Sequence, residues 1–278
     1  MALKTFVNKV GVGLQVDLTT VDSALVVAGG LVNSENGTAI QGVGSDHIVH
    51  VHGTVAANDS AIHLGDNSTS DINEQVLVGP AGFVGCYGSD VAILISAMAS
   101  TVENRGWVYA GGDIGYGVAF GGERFVPNPM SSSMINSGEI EATRAGVLHF
   151  GTETLVLTNS GTIKGGIYAY QDSTGINDGS IDLIANSGMM IGLISFGDGD
   201  DVYSGGSGHL IGKLLAGSGN DVAIGSADND WFEGGVGVDA LIGNAGADRL
   251  IGDAGNDTQA AMSAALGSLP RSYRPTTA

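Results

Sequence analysis

Residues 217–257 read GSGNDVAIGSADNDWFEGGVGVDALIGNAGADRLIGDAGND. Asp221, Asp230, Asp239, Asp248 and Asp257 fall nine residues apart without a break. Gly219, Gly237, Gly246 and Gly255 stand two residues before four of them, and Asp228 takes that place before Asp230. An apolar residue stands two positions after most of them: Ala223, Phe232, Leu241 and Leu250. In an extended chain, residues two apart share a side, so those apolar residues can fill a core. A solvated acidic tail does not hold apolar residues on a nine-residue beat. The beat is that of a repeat architecture, in which each unit is too small to bury its own face and stacks on the next.

Working outward, GDGDDVY at 197–203 places Asp201 and Tyr203 in the same frame, twenty residues before Asp221. The segment SGGSGHLIGKLLA between them reads as one last coil of a looser repeat. That repeat is anchored at Gly30, Gly53, Gly82, Gly106, Gly138, Gly161, Gly188 and Gly208, each followed at the next-but-one position by an apolar residue. Three anchors carry the lead-in Asn-Ser-Gly, from Asn136, Asn159 and Asn186. Between anchors lie short β-branched or apolar runs such as HIVHV, VAILI, GVLHF and IDLI, bounded by turn residues. Two or three short strands per unit predict an all-β chain, a right-handed parallel β-helix continuing into a parallel roll. The competing fold is a β-sandwich, whose strands lack a higher-order repeat. The boundaries expected are 1–195 for the helix, 196–260 for the roll and 261–278 for a tail or cap. The insert ERFVPNPMSSS falls in a loop, because its prolines cannot sit in a central strand.

Composition narrows the function. The chain has 278 residues, 47 of them Gly, yet 43% are hydrophobic, which excludes a disordered linker. A formal charge of −19 argues against nucleic acid and anionic lipid as partners and favours cations. Residues 198–257 alone hold eleven acids against Lys213 and Arg249, a net −9. Cys86 is the single cysteine, so no internal disulfide forms. No apolar run is long enough for a transmembrane segment, and the first residues lack a cleaved leader pattern.

The nonapeptides resemble the repeats-in-toxin family, the haemolysin-type calcium-binding repeat with the pattern G-G-x-G-x-D-x-U-x, where U is a large apolar residue. Gly234–Ile242, GGVGVDALI, matches every defined position, and the resemblance spans 196–260. The physics stands beside it. Glycines turn carbonyl oxygens inward, and carbonyls with carboxylates make the oxygen cage that suits Ca2+.

The resemblance implies that each nonapeptide is half a turn of a parallel β-roll, so loops two repeats apart stack. Asp221 then shares an ion with Asp239, Asp239 with Asp257, and Asp230 with Asp248. Asp201 is a further candidate, although twenty residues rather than eighteen separate it from Asp221. Gly219, Gly237 and Gly246 complete the candidate metal site. Ser226 and Asp228 break one repeat and Gln259 replaces a core residue, so two or three ions are expected. The resemblance also implies a secreted protein, exported by a type I route through an uncleaved C-terminal signal and folded by calcium outside the cell. The β-helix would then be a surface, adhesive or matrix element, with polysaccharide or a cell surface as partner.

Other residues admit other chemistry. His50 and His52, with His47 and His63 nearby in the chain, could bind zinc or copper, but an outward polar row is the plainer reading. Parallel β-helices also carry polysaccharide lyases, hydrolases and epimerases, which need clustered carboxylates and a base. The candidates are Arg105, Arg124, Arg144, Glu123, Glu141 and Asp113, and they form no recognisable motif. Trp107, Tyr109 and Tyr116 read either as a sugar-stacking platform or as core aromatics. Cys86 reads as a buried small residue, and the Ala/Leu-rich stretch after Thr258 as a short cap helix.

Overall fold

The computed structural model describes residues 2–261 except 20–21, 67, 69, 89, 122–129 and 173–178. The prolines of the insert, the residues Glu123 and Arg124 and the tail after 261 lie outside the described residues. Among the described residues the strands join in one all-parallel sheet wound into coils. The parallel β-helix is therefore the fold, and the sandwich reading is overturned, since no antiparallel pair joins the strands described.

The winding makes three faces. Face A stacks 23–26, Ile48–Val51, Gln75–Val78, Thr101–Asn104, Ser132–Asn136, Leu155–Asn159 and Asp182–Asn186. It continues through Val202–Ser204, Val222–Ile224, Ala240–Asn244 and Thr258–Ala261. Face B stacks 31–34, Thr54–Ala57, Phe83–Cys86, Trp107–Ala110, Glu139–Ala142, 162–165, 189–191 and His209–Ile211, where it ends. Face C stacks Val16–Leu18, Ile40–Gly42, Ile62–Leu64, Val91–Ile95, Tyr116–Phe120, Ala145–His149, 168–172 and 193–195. It continues through Leu214–Ser218, Trp231–Val236 and Arg249–Ala254. Beyond Ile211 a coil has only two faces, and each nonapeptide supplies one strand and one corner.

Period-two alternation sends one apolar column inward from each face. On face A the column runs Val49, Val76, Val102, Met134, Leu157, Ile184, Tyr203, Ala223 and Leu241, all buried. On face C it runs Ile62, Ile93, Val118, Val147, Tyr170, Ile194, Leu214 and Phe232. Each such side chain contributes about 1.5–3 kcal/mol on burial. The columns weaken at the last coil, where Leu250 is only partly covered and Gln259 is exposed.

The Asn-Ser-Gly anchors form the corner from face A to face B. Asn104 Nδ2 donates to Asn136 Oδ1, Asn136 to Asn159 and Asn159 to Asn186, each at 2.8 Å. The following glycines stack just as closely. A methyl group on Gly138 would overlap the Gly106 carbonyl, on Gly161 that of Gly138, and on Gly188 that of Gly161. The loose glycine beat is thus a seam of backbone-on-backbone approach.

Candidate metal centre

A second seam runs along the leading corner of face A, and it carries the aspartates. Asp182 N–H donates to Asp201 Oδ1 at 2.7 Å, and Asp201 N–H to Asp221 Oδ1 at 2.8 Å. Asp221 N–H donates to Asp239 Oδ1 at 2.9 Å, and Asp239 N–H to Asp257 Oδ1 at 3.1 Å. On the opposite corner, leading into face C, Asp230 N–H donates to Asp248 Oδ1 at 3.1 Å. All three pairings read from the sequence are therefore brought together. Asp201 joins them in the same register despite its different spacing, because its longer coil spends the extra residues on the last face B strand.

The ladder has a local cause. In the last four loops the carboxylate folds back over the glycine five residues earlier. A side chain at Gly225, Gly234, Gly243 or Gly252 would overlap Asp230, Asp239, Asp248 or Asp257 respectively. The glycine two residues before the aspartate has a different duty. Gly219, Gly237 and Gly246 take φ of 144°, 148° and 129°. Cβ atoms there would overlap the carbonyls of Gly199, Gly219 and Asp228 in the coil beneath. The position between these glycines is the tolerant one: Asn244 and Asp253 hold φ of 64° and 65° there, a region that short polar residues can enter. An outer ladder braces the loops, with Asn220 N–H donating to Asp200 Oδ1 at 2.7 Å and Val238 N–H to Asn220 Oδ1 at 3.0 Å.

Four rungs leave one oxygen over. Oδ2 of Asp201, Asp221, Asp239 and Asp248 is buried and makes no hydrogen bond. Asp230 differs, since its Oδ2 accepts from Ser226 N–H at 2.8 Å within its own loop. Burial pushes Asp201 up to about 8 and Asp221 up to about 7; the backbone donors oppose this, and adjoining carboxylates add to it. Asp230 and Asp239 are raised for the same reasons. Buried, unpartnered carboxylate oxygens repeated along a corner fit a divalent cation of the hard, oxygen-seeking kind.

A roll of half-turns with one inward carboxylate per half-turn defines a class of cation-binding repeat. Residues 213–241 and 233–258 match the family model of the RTX calcium-binding nonapeptide repeat (4 copies), and these nonapeptides are RTX repeats. No curated protein and no solved structure matches the chain.

The remaining candidates separate. His47 is buried with its Nδ1 3.0 Å from both carboxylate oxygens of Glu74, whereas His50 and His63 alternate with buried residues and face outward on faces A and C. His50 and His52 bring their rings edge to face at a centroid distance of 6.5 Å, while His47 turns to Glu74 and His63 to Ser96, so the four do not gather in one site. Arg105 pairs with Glu103 at 2.6 Å, Glu141 with Lys164, and Arg144 lies over the Tyr116 ring. These groups occupy different faces. Trp107 and Tyr109 flank the buried Val108, so they point outward and the core reading of these aromatics is overturned. Trp107 meets Phe83 at a centroid distance of 5.1 Å, and Tyr109 meets Tyr87 at 5.9 Å. Cys86 is buried as expected, and burial pushes its thiol up to about 11.

Sequence reading missed Asp182 and a polar group around it: His149, Glu153 and Asp172, all buried. One signal was available, since Asp182 interrupts the otherwise apolar run IDLI.

Proposed function

We propose that the protein is a secreted, calcium-binding RTX protein whose roll orders on binding Ca2+. The ligands are the carboxylates of Asp201, Asp221, Asp239 and Asp257 along one corner and of Asp230 and Asp248 along the other, with loop carbonyls turned by Gly219, Gly237 and Gly246. The observation that carries this reading is the set of buried, unpartnered Oδ2 atoms of Asp201, Asp221, Asp239 and Asp248. Stacked carboxylates repel, and a dication between them removes both the repulsion and the desolvation cost. Sites of extracellular affinity remain empty in a calcium-poor cytosol and fill outside, which suits export of an unfolded chain.

The β-helix then serves as a surface or adhesive element. Its outward cluster of Phe83, Trp107, Tyr109 and Tyr87 offers rings for stacking on polysaccharide. A polysaccharide-modifying enzyme is the rival reading, and among the described residues the separation of Arg105, Glu141 and Arg144 into different contacts disfavours it.

The test is hydrogen exchange of the full chain in millimolar Ca2+ and in chelator. Above pH 8, where the ladder aspartates are ionised, amides between 196 and 261 should be protected only with Ca2+, while the Asn104–Asn186 coils stay protected in both. Equal protection of 196–261 in chelator would overturn folding on binding, and absence of Ca2+ uptake in equilibrium dialysis would overturn the site.

A further inference from the structure

The corner where face C passes into face A changes character at one level. Along the end of face C the inward residues in register are Ile95, Phe120, His149 and Asp172. Along the start of face A, Leu155 is followed in register by Asp182. The apolar column of face C is therefore interrupted at His149 and Asp172, and it meets Asp182 of the face A column, where Ser132 and Asp182 flank Leu155 in register. One ligand atom from each of His149, Asp172 and Asp182 lies within 4.8 Å of the others. His149 is 0% exposed, Asp182 1% and Asp172 8%.

We propose that His149, Asp172 and Asp182 hold a first-row transition-metal dication of the zinc type, in a site separate from the all-oxygen ladder below it. His149 Nδ1 stands 3.0 Å from Asp182 Oδ1, and neither ring nitrogen makes a hydrogen bond. A fully buried imidazole that meets its carboxylate neighbours without an aligned hydrogen bond is costly, and so are carboxylates taken out of water beside it. A cation at Nδ1 is within reach of one ligand atom from the imidazole and from each aspartate at once.

The surroundings are built for it. Tyr170 OH donates to Asp182 Oδ2 at 2.6 Å, fixing that carboxylate and leaving Oδ1 for the ion. Asp182 N–H is held by Asp201 Oδ1, which sets the strand position. Glu153 Oε2 lies 3.9 Å from His149 Nε2, on the far side of the ring. It is placed to accept the Nε2 proton once Nδ1 is a ligand, as carboxylates behind metal-bound histidines do. The imidazole decides the ion: nitrogen with carboxylate suits zinc and its neighbours, whereas calcium takes oxygen ligands.

The experiment uses the full chain in millimolar Ca2+, which occupies the RTX sites. Zn2+ is added, free metal is dialysed away against the same Ca2+ buffer, and bound zinc is counted. One Zn2+ per chain is expected. Co2+ in its place should give visible d–d bands of low-symmetry nitrogen and oxygen coordination. His149→Gln should weaken zinc binding by at least about tenfold with Ca2+ uptake unchanged. The variant His50→Ala/His52→Ala should retain the full equivalent. Folded wild type that retains no zinc, or a His149→Gln variant that binds as wild type, overturns the site. So does loss of zinc from the His50/His52 variant. Should His149→Gln not fold, the wild-type Co2+ spectrum decides, and a spectrum of hexaaquo type overturns the proposal.

Discussion

Asp201 and Asp221 occupy the same place on successive coils, the Asp201 N–H donating to Asp221 Oδ1 at 2.8 Å, although their coil is two residues longer than those that follow. Register at the corner is therefore set by strand pairing, Val202 against Val222, and not by the count of residues between. The carboxylate ladder begins inside the three-faced helix and passes into the roll unbroken.

The ladder makes acid tolerance opposite in sign without and with calcium. Asp201 and Asp221 sit at about 8 and about 7, above the ~3.9 of an unfolded aspartate. Between those values the folded chain binds more protons than the unfolded one, so without calcium stability is greatest at low pH and falls as pH rises toward 8. Calcium needs the ionised form, so its apparent affinity falls as pH drops below about 7. Thermal melts in chelator from pH 5 to 8 should therefore decline, and calcium titrations over the same range should tighten. A chelated melt that rises with pH would contradict the ladder.

Asp239→Asn keeps an oxygen for the Asp221 N–H and removes the charge at the centre of the seam. The calcium midpoint should rise by at least about tenfold, about 1.4 kcal/mol. The Asn104–Asn186 coils should exchange as in the wild type. A midpoint unchanged within twofold would remove Asp239 from the ligands.

Gly237→Ala tests the close approach of the loops. Its φ of 148° and the Gly219 carbonyl beneath it leave no room for a methyl group. Backbone strain alone costs of order 1–3 kcal/mol. Protection of 231–261 at saturating calcium should drop, and retention of full protection would show that the coils can move apart.

Asn136→Ala removes two links of the amide ladder, leaving Asn159 Oδ1 and one of the two Asn104 Nδ2 hydrogens unpaired in a buried seam while the other keeps the Glu139 carbonyl. Two unpaired groups cost roughly 2–4 kcal/mol. The melting temperature of the helix should fall while the calcium stoichiometry stays the same. A change in calcium number with no change in melting would mean the two seams are coupled in another way.

The seams were legible in the sequence to different degrees. The nine-residue beat identifies Asp221, Asp239 and Asp257 as one stack because no residue is gained or lost between them. The Asn-Ser-Gly lead-ins mark the opposite corner without disclosing that the amides bond to each other. Asp201 sat off the beat, since a strand on a third face is invisible to a residue count. Trp107 could have been placed outward by its alternation with Val108. His149, Asp172 and Asp182 come from three strands, and only the register that lays His149 on Asp172 joins them. No local pattern carries that information.

Face B ends at Ile211 while its neighbours run on, so the molecule tapers, and the apolar filling thins from Tyr203 and Phe232 to the half-covered Leu250. A thinning interior shifts the burden of cohesion from oil to ions, step by step toward the narrow end. With the calcium-ordered roll proposed above, the broad end would act as a template that is ready before any metal arrives, and the narrow end would grow on it like courses of brick set in mortar. Dilution of the mortar would dismantle those courses in reverse, from Thr258–Ala261 inward, with the template left standing.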